Sequence, residues 1–324
     1  MDKHPIFANV EIGVGTWPWG DRLLWGYGRD YKDSNLQDAF QDSITSGINF
    51  FDTDEVYSQG QAERLLGKFI TQSKQHAIIG TKFMPYPWRL TKRSLFRALK
   101  GSLSRLGQTC VDLYQIHSPF PPIPIEIWLD AIIDCVHNRT VGAIGVSDFD
   151  GKQLEIILAH LSKRLLRLAS NQVEFNLVNR KFEKNGLLSL CGQENIVVIA
   201  HSPLAMGMLT GKYTPENPPG GIRGRKFNRK YLEKIRPLLT TLKKIGASHD
   251  GKSAAQVALN WIICKGAIPI PGVKNAQQAH QNSGATGWRL TTDEVSELDF
   301  DSDQVMSPKD AQRYFIGSRY RIGK

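Results

Sequence analysis

The sequence predicts an α/β protein built as a (β/α)8, or TIM, barrel, and three observations point there. Short apolar runs recur along the chain, longer stretches of helical period separate them, and the reactive polar residues fall where the runs end. The strand candidates are Val10–Thr16, Ile48–Thr53, Ala77–Phe83, Val111–His117, Val141–Val146, Leu168–Phe175, Ile196–His201 and Ala267–Pro271. Each is nearly continuous in apolar residues, as strands buried on both faces of a parallel sheet are.

Helical patterns fill the gaps in order: Asn35–Thr45, Glu63–Thr71, Lys92–Leu106, Ile125–His137, Gly151–Arg164, Leu187–Glu194 and Ala254–Cys264. Gly47 and Gly107 stand where a helix end favours left-handed backbone. Residues 212–230 interrupt the alternation: they are rich in Pro, Gly and basic residues and lack a period, which predicts a long functional loop after strand 7. No internal repeat or boundary divides the chain, so residues 1–324 are expected to form a single barrel domain. A doubly wound open sheet is the competing arrangement. In either, chemistry belongs at the C-terminal ends of the strands.

Composition narrows the class. With 41 % hydrophobic residues in 324, the chain has material for a large core. No apolar stretch reaches the roughly 18 residues of a membrane span. The start, Met1-Asp-Lys-His-Pro, shows neither a signal core nor a transit-peptide composition, so a cytoplasmic location and no membrane partner are expected. The cysteines Cys110, Cys135, Cys191 and Cys264 are scattered, which reads as free thiols and argues against a zinc site. The net charge of +10 is spread along the chain rather than gathered in one stripe with aromatics. That distribution argues against a nucleic-acid partner. An oligomer is not indicated.

Three successive strand ends carry titratable residues: Asp52 with Tyr57 five residues on, then Lys82, then His117. A phenol, with an ordinary pKa of about 10, is a poor acid near neutrality unless a nearby cation favours its ionised form. Lys82 can supply that cation, Asp52 can hold Lys82 in place, and His117 can hydrogen-bond a carbonyl oxygen. No side chain donates hydride, so a nicotinamide is required. Taken singly, such a Lys is a solvated rim residue, such a Tyr a packing residue and such a His a core residue. Their conjunction on one rim supports the chemical reading.

At these residues the sequence resembles the aldo-keto reductase superfamily, including its pyridoxal reductase-like and potassium-channel β-subunit-like members. The resemblance is carried by Gly13-Val-Gly-Thr-Trp17, Phe51-Asp-Thr-Asp-Glu-Val-Tyr57, Gly80-Thr-Lys82, Val111-Asp-Leu-Tyr-Gln-Ile-His117 and Gly145-Val-Ser-Asp-Phe149. It continues through Asn171-Gln-Val-Glu-Phe175, the stretch from His201 to Tyr213, and Ile270-Pro-Gly272 to Asn282. It implies a (β/α)8 barrel that uses NADPH (NADP) to reduce an aldehyde or ketone, with Asp52, Tyr57, Lys82 and His117 as the catalytic tetrad. It further implies that Ser147, Asp148 and Gln172 hold the nicotinamide carboxamide and that His201 lies against the ring. Thr16, Trp17, Asp52, Pro203, Met206 and Arg225 belong to the implied cofactor site, while Ser202, Leu204, Ala205 and Lys212 would contact the pyrophosphate. Gly272, Lys274, Gln278, Gln281 and Asn282 fall where the adenosine 2′-phosphate and adenine are bound, at the start of a helix spanning about 275–282, a good anion seat.

Some positions depart from the family's pattern. His201 replaces a larger aromatic, Asp148 replaces Asn and so loses an amide's double capacity to donate and accept, and Gln278 replaces an Arg. Lys274 still favours NADPH over NADH. Gly13-Val-Gly15 is not a dinucleotide fingerprint, because Pro18 occupies the third glycine's place, and Gly207 to Lys212 is one residue short of a phosphate loop.

Trp17, Trp19, Trp25 and Trp88 lie in the loops after strands 1 and 3, with Tyr86 and Phe120 near. Trp17, Trp25 and Trp88 are the expected walls of an apolar cup for a small carbonyl substrate, with some of these rings merely packing the loops. Pyridoxal is one candidate. Arg223 and Arg225 are available to a pyrophosphate or an anionic substrate. The alternative function is an NADPH-binding regulatory subunit of the same fold with little turnover. A metal-dependent hydrolase using Asp52 and His117 lacks paired ligands at the strand ends.

Overall fold

In the computed structural model, which describes residues 4–120 and 122–305, each apolar run becomes a strand and every strand pairs in parallel with the next. The strands are β1 (Gly13–Gly15), β2 (Phe50–Asp52), β3 (Ile78–Phe83), β4 (Val111–Ile116), β5 (Val141–Ser147), β6 (Leu168–Glu174), β7 (Val197–His201) and β8 (Ile268–Pro269). Their spatial order is their sequence order, β1 through β8. The ring closes through a parallel bridge between Gly15 and Gly272 and a 3.1 Å bond from Gly15 N to Pro271 O. A Cβ on Gly15 would sit 2.8 Å from Ile270 O, so the seam requires glycine on the β1 side. The open-sheet alternative is thereby set aside. Residues 1–3, which belong to the expectation about the chain's start, lie outside the described part.

Helices cover the outside: α1 (Asp33–Thr45), α2 (Gln61–Ser73), α3 (Lys92–Leu106), α4 (Ile125–His137), α5 (Gly151–Ser162), α6 (Lys181–Lys184), α7 (Leu187–Gln193), α8 (Gly221–Lys226), α9 (Arg229–Ser248), α10 (Ala254–Cys264), α11 (Ala276–Ser283) and α12 (Thr292–Val305). Side chains cap several starts in the expected way: Asp150 accepts from Gln153 N, Ser253 from Gln256 N and Asn275 from Gln278 N. Gly107 ends α3 in the left-handed region and Gly47 does the same one residue past the cap of α1.

The helices α6, α8, α9 and α12 were not expected. α9 buries Leu232, Ile235, Leu238, Leu239, Leu242 and Ile245 at helical spacing, although Pro237 inside it removes a backbone donor. Packing against α10 and α12 offsets that loss. The 212–230 segment is therefore not one loop: α8 forms within it and α9 begins at its end.

Two cores result. The larger fills the space between strands and helices. The smaller lies inside the barrel, where Phe50, Leu113, Ala143, Ala169, Val197, Ile199 and Ile268 meet Phe7 and Val10 from the N-terminal segment. Phe7 packs edge-on against Phe50 with ring centroids 5.5 Å apart, closing the barrel floor. Because side chains alternate along a strand, residues two further on from Phe50, Gly80 and Leu113 also face inward. Those residues are Asp52, Lys82 and Gln115, so a polar layer rests directly on the apolar one.

Candidate active site

Lys82 is buried, and its ammonium group is the hub of the barrel mouth. Its Nζ donates to Asp52 Oδ2 at 2.6 Å, to Thr53 O at 2.8 Å and to Tyr57 Oη at 3.3 Å. Burial alone would discharge it, but Asp52, Tyr57 and Asp54 together hold its pKa above the ordinary lysine value. Asp52 in turn is saturated, since Oδ1 accepts from Gln172 Nε2 at 2.7 Å and from Gln115 Nε2 at 3.0 Å. A buried carboxylate with this many donors is held in one orientation, and it fixes Lys82 with it.

Tyr57 enters this arrangement from a strained turn. Ser58, Gln59 and Gly60, immediately after it, all have φ between 50° and 81°. Left-handed non-glycine residues persist only where the surroundings over-determine them, often at working sites. Burial raises the phenol's pKa, Asp52 and Asp54 raise it further, and the opposing pull of Lys82 does not cancel them. The net shift is upward, contrary to the expectation that Lys82 lowers it, because desolvation of the phenolate exceeds the attraction of one ammonium.

Two further side chains that the sequence reading left unnamed share the site. Gln115 lies two residues before His117 and Asp54 two residues after Asp52, so alternation along the strand was the available signal. His117 follows β4 and places Nδ1 2.6 Å from Asp54 Oδ2, and its ring stands edge-on to Tyr57 with centroids 6.5 Å apart. Asp54 Oδ2 also lies 3.9 Å from Lys82 Nζ.

The expected cofactor residues line the other side of the mouth. Ser147 ends β5, and Asp148, with φ of 61°, donates its backbone N–H to Gln172 O at 2.8 Å. Gln172 has its amide nitrogen committed to Asp52. His201 ends β7 with Nε2 3.6 Å from Asp148 Oδ1, so the two family departures on this wall are neighbours. Burial disfavours the imidazolium of His201, yet Asp148 and Glu174 outweigh it and the pKa is raised. After β7, Ser202, Ala205 and Met206 have φ of 50°, 49° and 57°, and Gly207 follows at 94°, a strained turn that includes Leu204 and follows the buried Pro203. Asn176 Nδ2 holds it by donating to Ser202 O at 3.0 Å.

A cationic cluster lies beside this turn, with Arg223 Nη1 donating to Met206 O at 3.5 Å. Lys274, on the turn before α11, donates to Trp25 O at 2.9 Å and lies over the rings of Trp25 and Tyr31 at 4.9 and 5.0 Å. Arg223 from α8 reaches the same Trp25 ring at 5.2 Å. Burial and the charges of Arg223 and Lys212 pull the Lys274 pKa down to about 8. Arg225, named with Arg223 for a pyrophosphate or an anionic substrate, is exposed. Gln278 accepts from Lys274 N through Oε1 at 2.9 Å, the buried Asn282 lies one turn on in α11 beside the exposed Gln281, and Gly272 sits at the barrel seam.

The tryptophans divide. Trp17 and Trp25 meet edge-on at 5.6 Å beside Thr16, whose Oγ1 donates to Asp52 O at 3.0 Å. Trp88 is 67 % exposed and stacks on Tyr86 at 4.5 Å. Trp19 is a packing residue, fully buried against Phe51 and Phe69 with its Nε1 donating to Val273 O. The loop with Tyr86 and Trp88 is tied to the Tyr57 loop by Arg89, which makes a bidentate pair with Glu55.

The chain is similar to known proteins over most of its length. The profile described as the Aldo/keto reductase family matches residues 11–300. The chain is 40 % identical over 311 residues to the chloroplastic pyridoxal reductase of Arabidopsis thaliana, covering 92 % of this chain and 84 % of that one. Among solved structures it resembles a glycerol dehydrogenase from Gluconobacter oxydans, with a TM-score of 0.80 at 27 % identity over 92 % of this chain and 93 % of that one. It also resembles an aldo/keto reductase from Klebsiella pneumoniae solved with NADP and acetate, with a TM-score of 0.69 at 26 % identity and 90 % of each chain covered. No described helix is long and apolar enough to cross a membrane.

Proposed function

Because the chain belongs to the aldo/keto reductase family, and is an NAD(P)H-dependent oxidoreductase acting on carbonyls, we propose that it reduces a small aldehyde or ketone to the alcohol with Tyr57 as the proton donor. The observation that carries this reading is the buried Lys82 ammonium, shared between Asp52 at 2.6 Å and Tyr57 at 3.3 Å.

The cofactor is NADPH, which supplies the hydride when bound. The fit is supported by the cluster of Lys274, Arg223 and Lys212: burial first, and the charges of Arg223 and Lys212 after it, lower the Lys274 pKa to about 8, and an anion among them would be favoured. Lys274 and Arg223 would hold phosphate oxygens, and the strained turn from Ser202 to Gly207 gives the backbone a close approach to the pyrophosphate. Ser147, Asp148 and Gln172 would hold the nicotinamide end, with His201 beside it.

The side chains then divide the work. Tyr57 keeps its proton well into the alkaline range and delivers it to the carbonyl oxygen as charge builds there. Lys82 stabilises the phenolate left behind, and Asp52, saturated by Gln115 and Gln172, keeps Lys82 from moving. His117 hydrogen-bonds the carbonyl oxygen and orients it. Trp17, Trp25 and Trp88 form the apolar rim that accepts the substrate body. Pyridoxal, a planar aromatic aldehyde, is the first substrate to test, given the relative at 40 % identity named pyridoxal reductase. The four cysteines are free, which suits the reducing cytoplasm to which we assign the enzyme.

The test is Tyr57→Phe on a panel of aldehydes. NADPH binding should persist while reduction falls by roughly 100-fold or more. Wild-type turnover by this variant would overturn the mechanism, and tight NADPH binding without turnover of any carbonyl by the native protein would favour the regulatory-subunit reading.

A further inference from the structure

We propose that Asp54 is a positioning residue for His117, fixing a proton on Nδ1 and aiming Nε2 at the carbonyl oxygen; the inference rests on the carbonyl-reductase reading above. Asp54 is fully buried. Its Oδ1 accepts from Val56 N at 2.9 Å, but Oδ2 has no hydrogen-bond partner among the described residues. The nearest ring nitrogen is His117 Nδ1, 2.6 Å away and likewise without a partner.

A buried carboxylate oxygen left unsatisfied is costly, and two such atoms facing each other are a pair waiting for one proton. At 2.6 Å two lone pairs would repel, so a proton lies between them. With the Lys82 ammonium 3.9 Å from the same oxygen, negative charge is favoured on Asp54 and the proton belongs on the nitrogen. Asp52 cannot serve instead, because its two oxygens already accept from Lys82, Gln115 and Gln172.

The consequence concerns the other face of the ring. Which nitrogen of a histidine carries the proton is set by the bond that the opposite nitrogen makes. With Nδ1–H turned to Asp54, Nε2 donates to a carbonyl oxygen only as a second N–H, so in the productive complex the ring carries both protons and Asp54 balances its charge. The mouth then holds two matched pairs, Lys82 with Asp52 and His117 with Asp54. Tyr57 stands beside both, 3.3 Å from Lys82 Nζ and edge-on to His117.

Heteronuclear NMR of the native protein with isotope-labelled histidine tests the pair without requiring turnover, the His117 signal being assigned by its loss in His117→Gln. Nδ1 should be protonated near neutral pH. Kinetics then test the consequence. Asp54→Ala should lower kcat by about 10- to 100-fold while KM for NADPH stays within about twofold. Asp54→Asn, whose amide oxygen still accepts from Nδ1–H, should recover part of the loss. An unprotonated Nδ1 in the native protein, or an Asp54→Ala variant with native kcat, would overturn the proposal. Neither result touches the assignment of Tyr57, which its own substitution tests separately.

Discussion

Tyr57 is set among neighbours that pull in different directions. Burial and the carboxylates of Asp52 and Asp54 raise its pKa, and Lys82 opposes them without prevailing. Because the donor must be protonated, Tyr57 itself should not limit reduction below the usual phenol value of about 10. A pH profile of kcat in the His117→Gln variant isolates Tyr57 from the imidazole, and an alkaline fall near neutrality there would contradict it. Lys82→Met removes the ammonium that opposes the rise of the phenol's pKa, so on the proposed mechanism kcat should drop by roughly 100-fold or more while the protein still folds and titrates with NADPH. On the opposite wall, Asp148 and Glu174 hold His201 above its ordinary pKa against burial. Asp148→Asn should therefore lower the His201 titration midpoint measured by NMR, and an unchanged midpoint would show that the pair at 3.6 Å is electrostatically idle. At this scale the sequence made Asp52, Tyr57, Lys82 and His117 legible because each ends or follows an apolar run. Asp54 and Gln115 were visible only as polar residues two positions away, and their partners came from folding.

Among the elements, the seam between β1 and β8 and the turn before α11 decide most. Gly15 accepts the approach of Ile270 O, and Gly15→Ala should cost about 1–3 kcal/mol by overpacking. That loss corresponds to a melting temperature lower by roughly 1–5 °C. The turn before α11 carries Lys274, whose pKa of about 8 sets a sign. Below that pH Lys274 is charged and attracts an anion; above it the charge is lost. NADPH affinity should accordingly weaken as pH rises past 8, and Lys274→Met should weaken binding and flatten this dependence in a fluorescence titration. All eight strands were legible, because burial on both faces leaves a continuous apolar run. The ends of β1, β2 and β8 were overcalled, since pairing with neighbours, not hydrophobicity, sets where a ladder stops. α9 was hidden by Pro237 and by the Pro/Gly-rich residues before it, and only packing on α10 and α12 restores it.

At the scale of the molecule, closure of the ring makes every strand depend on its two neighbours. We expect the described barrel, within the single domain proposed for the chain, to unfold in one calorimetric transition; residues 306–324 lie outside the described part. NADPH at about a hundred times its Kd should add roughly 2.7 kcal/mol of stability. The melting temperature would then rise by about 4 °C, and two separate transitions would contradict the single domain. The sequence by itself determined the eight strands, their alternation with helices and the strand ends on which Asp52, Lys82 and His117 stand, because hydrophobic period is a local property; the closing of the strands into a ring rather than an open sheet was decided by the tertiary structure. The sequence determined equally that Asp148 and His201 depart from the pattern it resembles. The tertiary structure decided which of these groups meet: Asp148 with His201, Asp54 with His117, Gln115 and Gln172 on one carboxylate oxygen, and Arg223 rather than Arg225 over Trp25. Those contacts join residues up to 198 positions apart, as Trp25 and Arg223 are. Charge, burial and proton placement depend on distances in space, and no spacing along the chain encodes them.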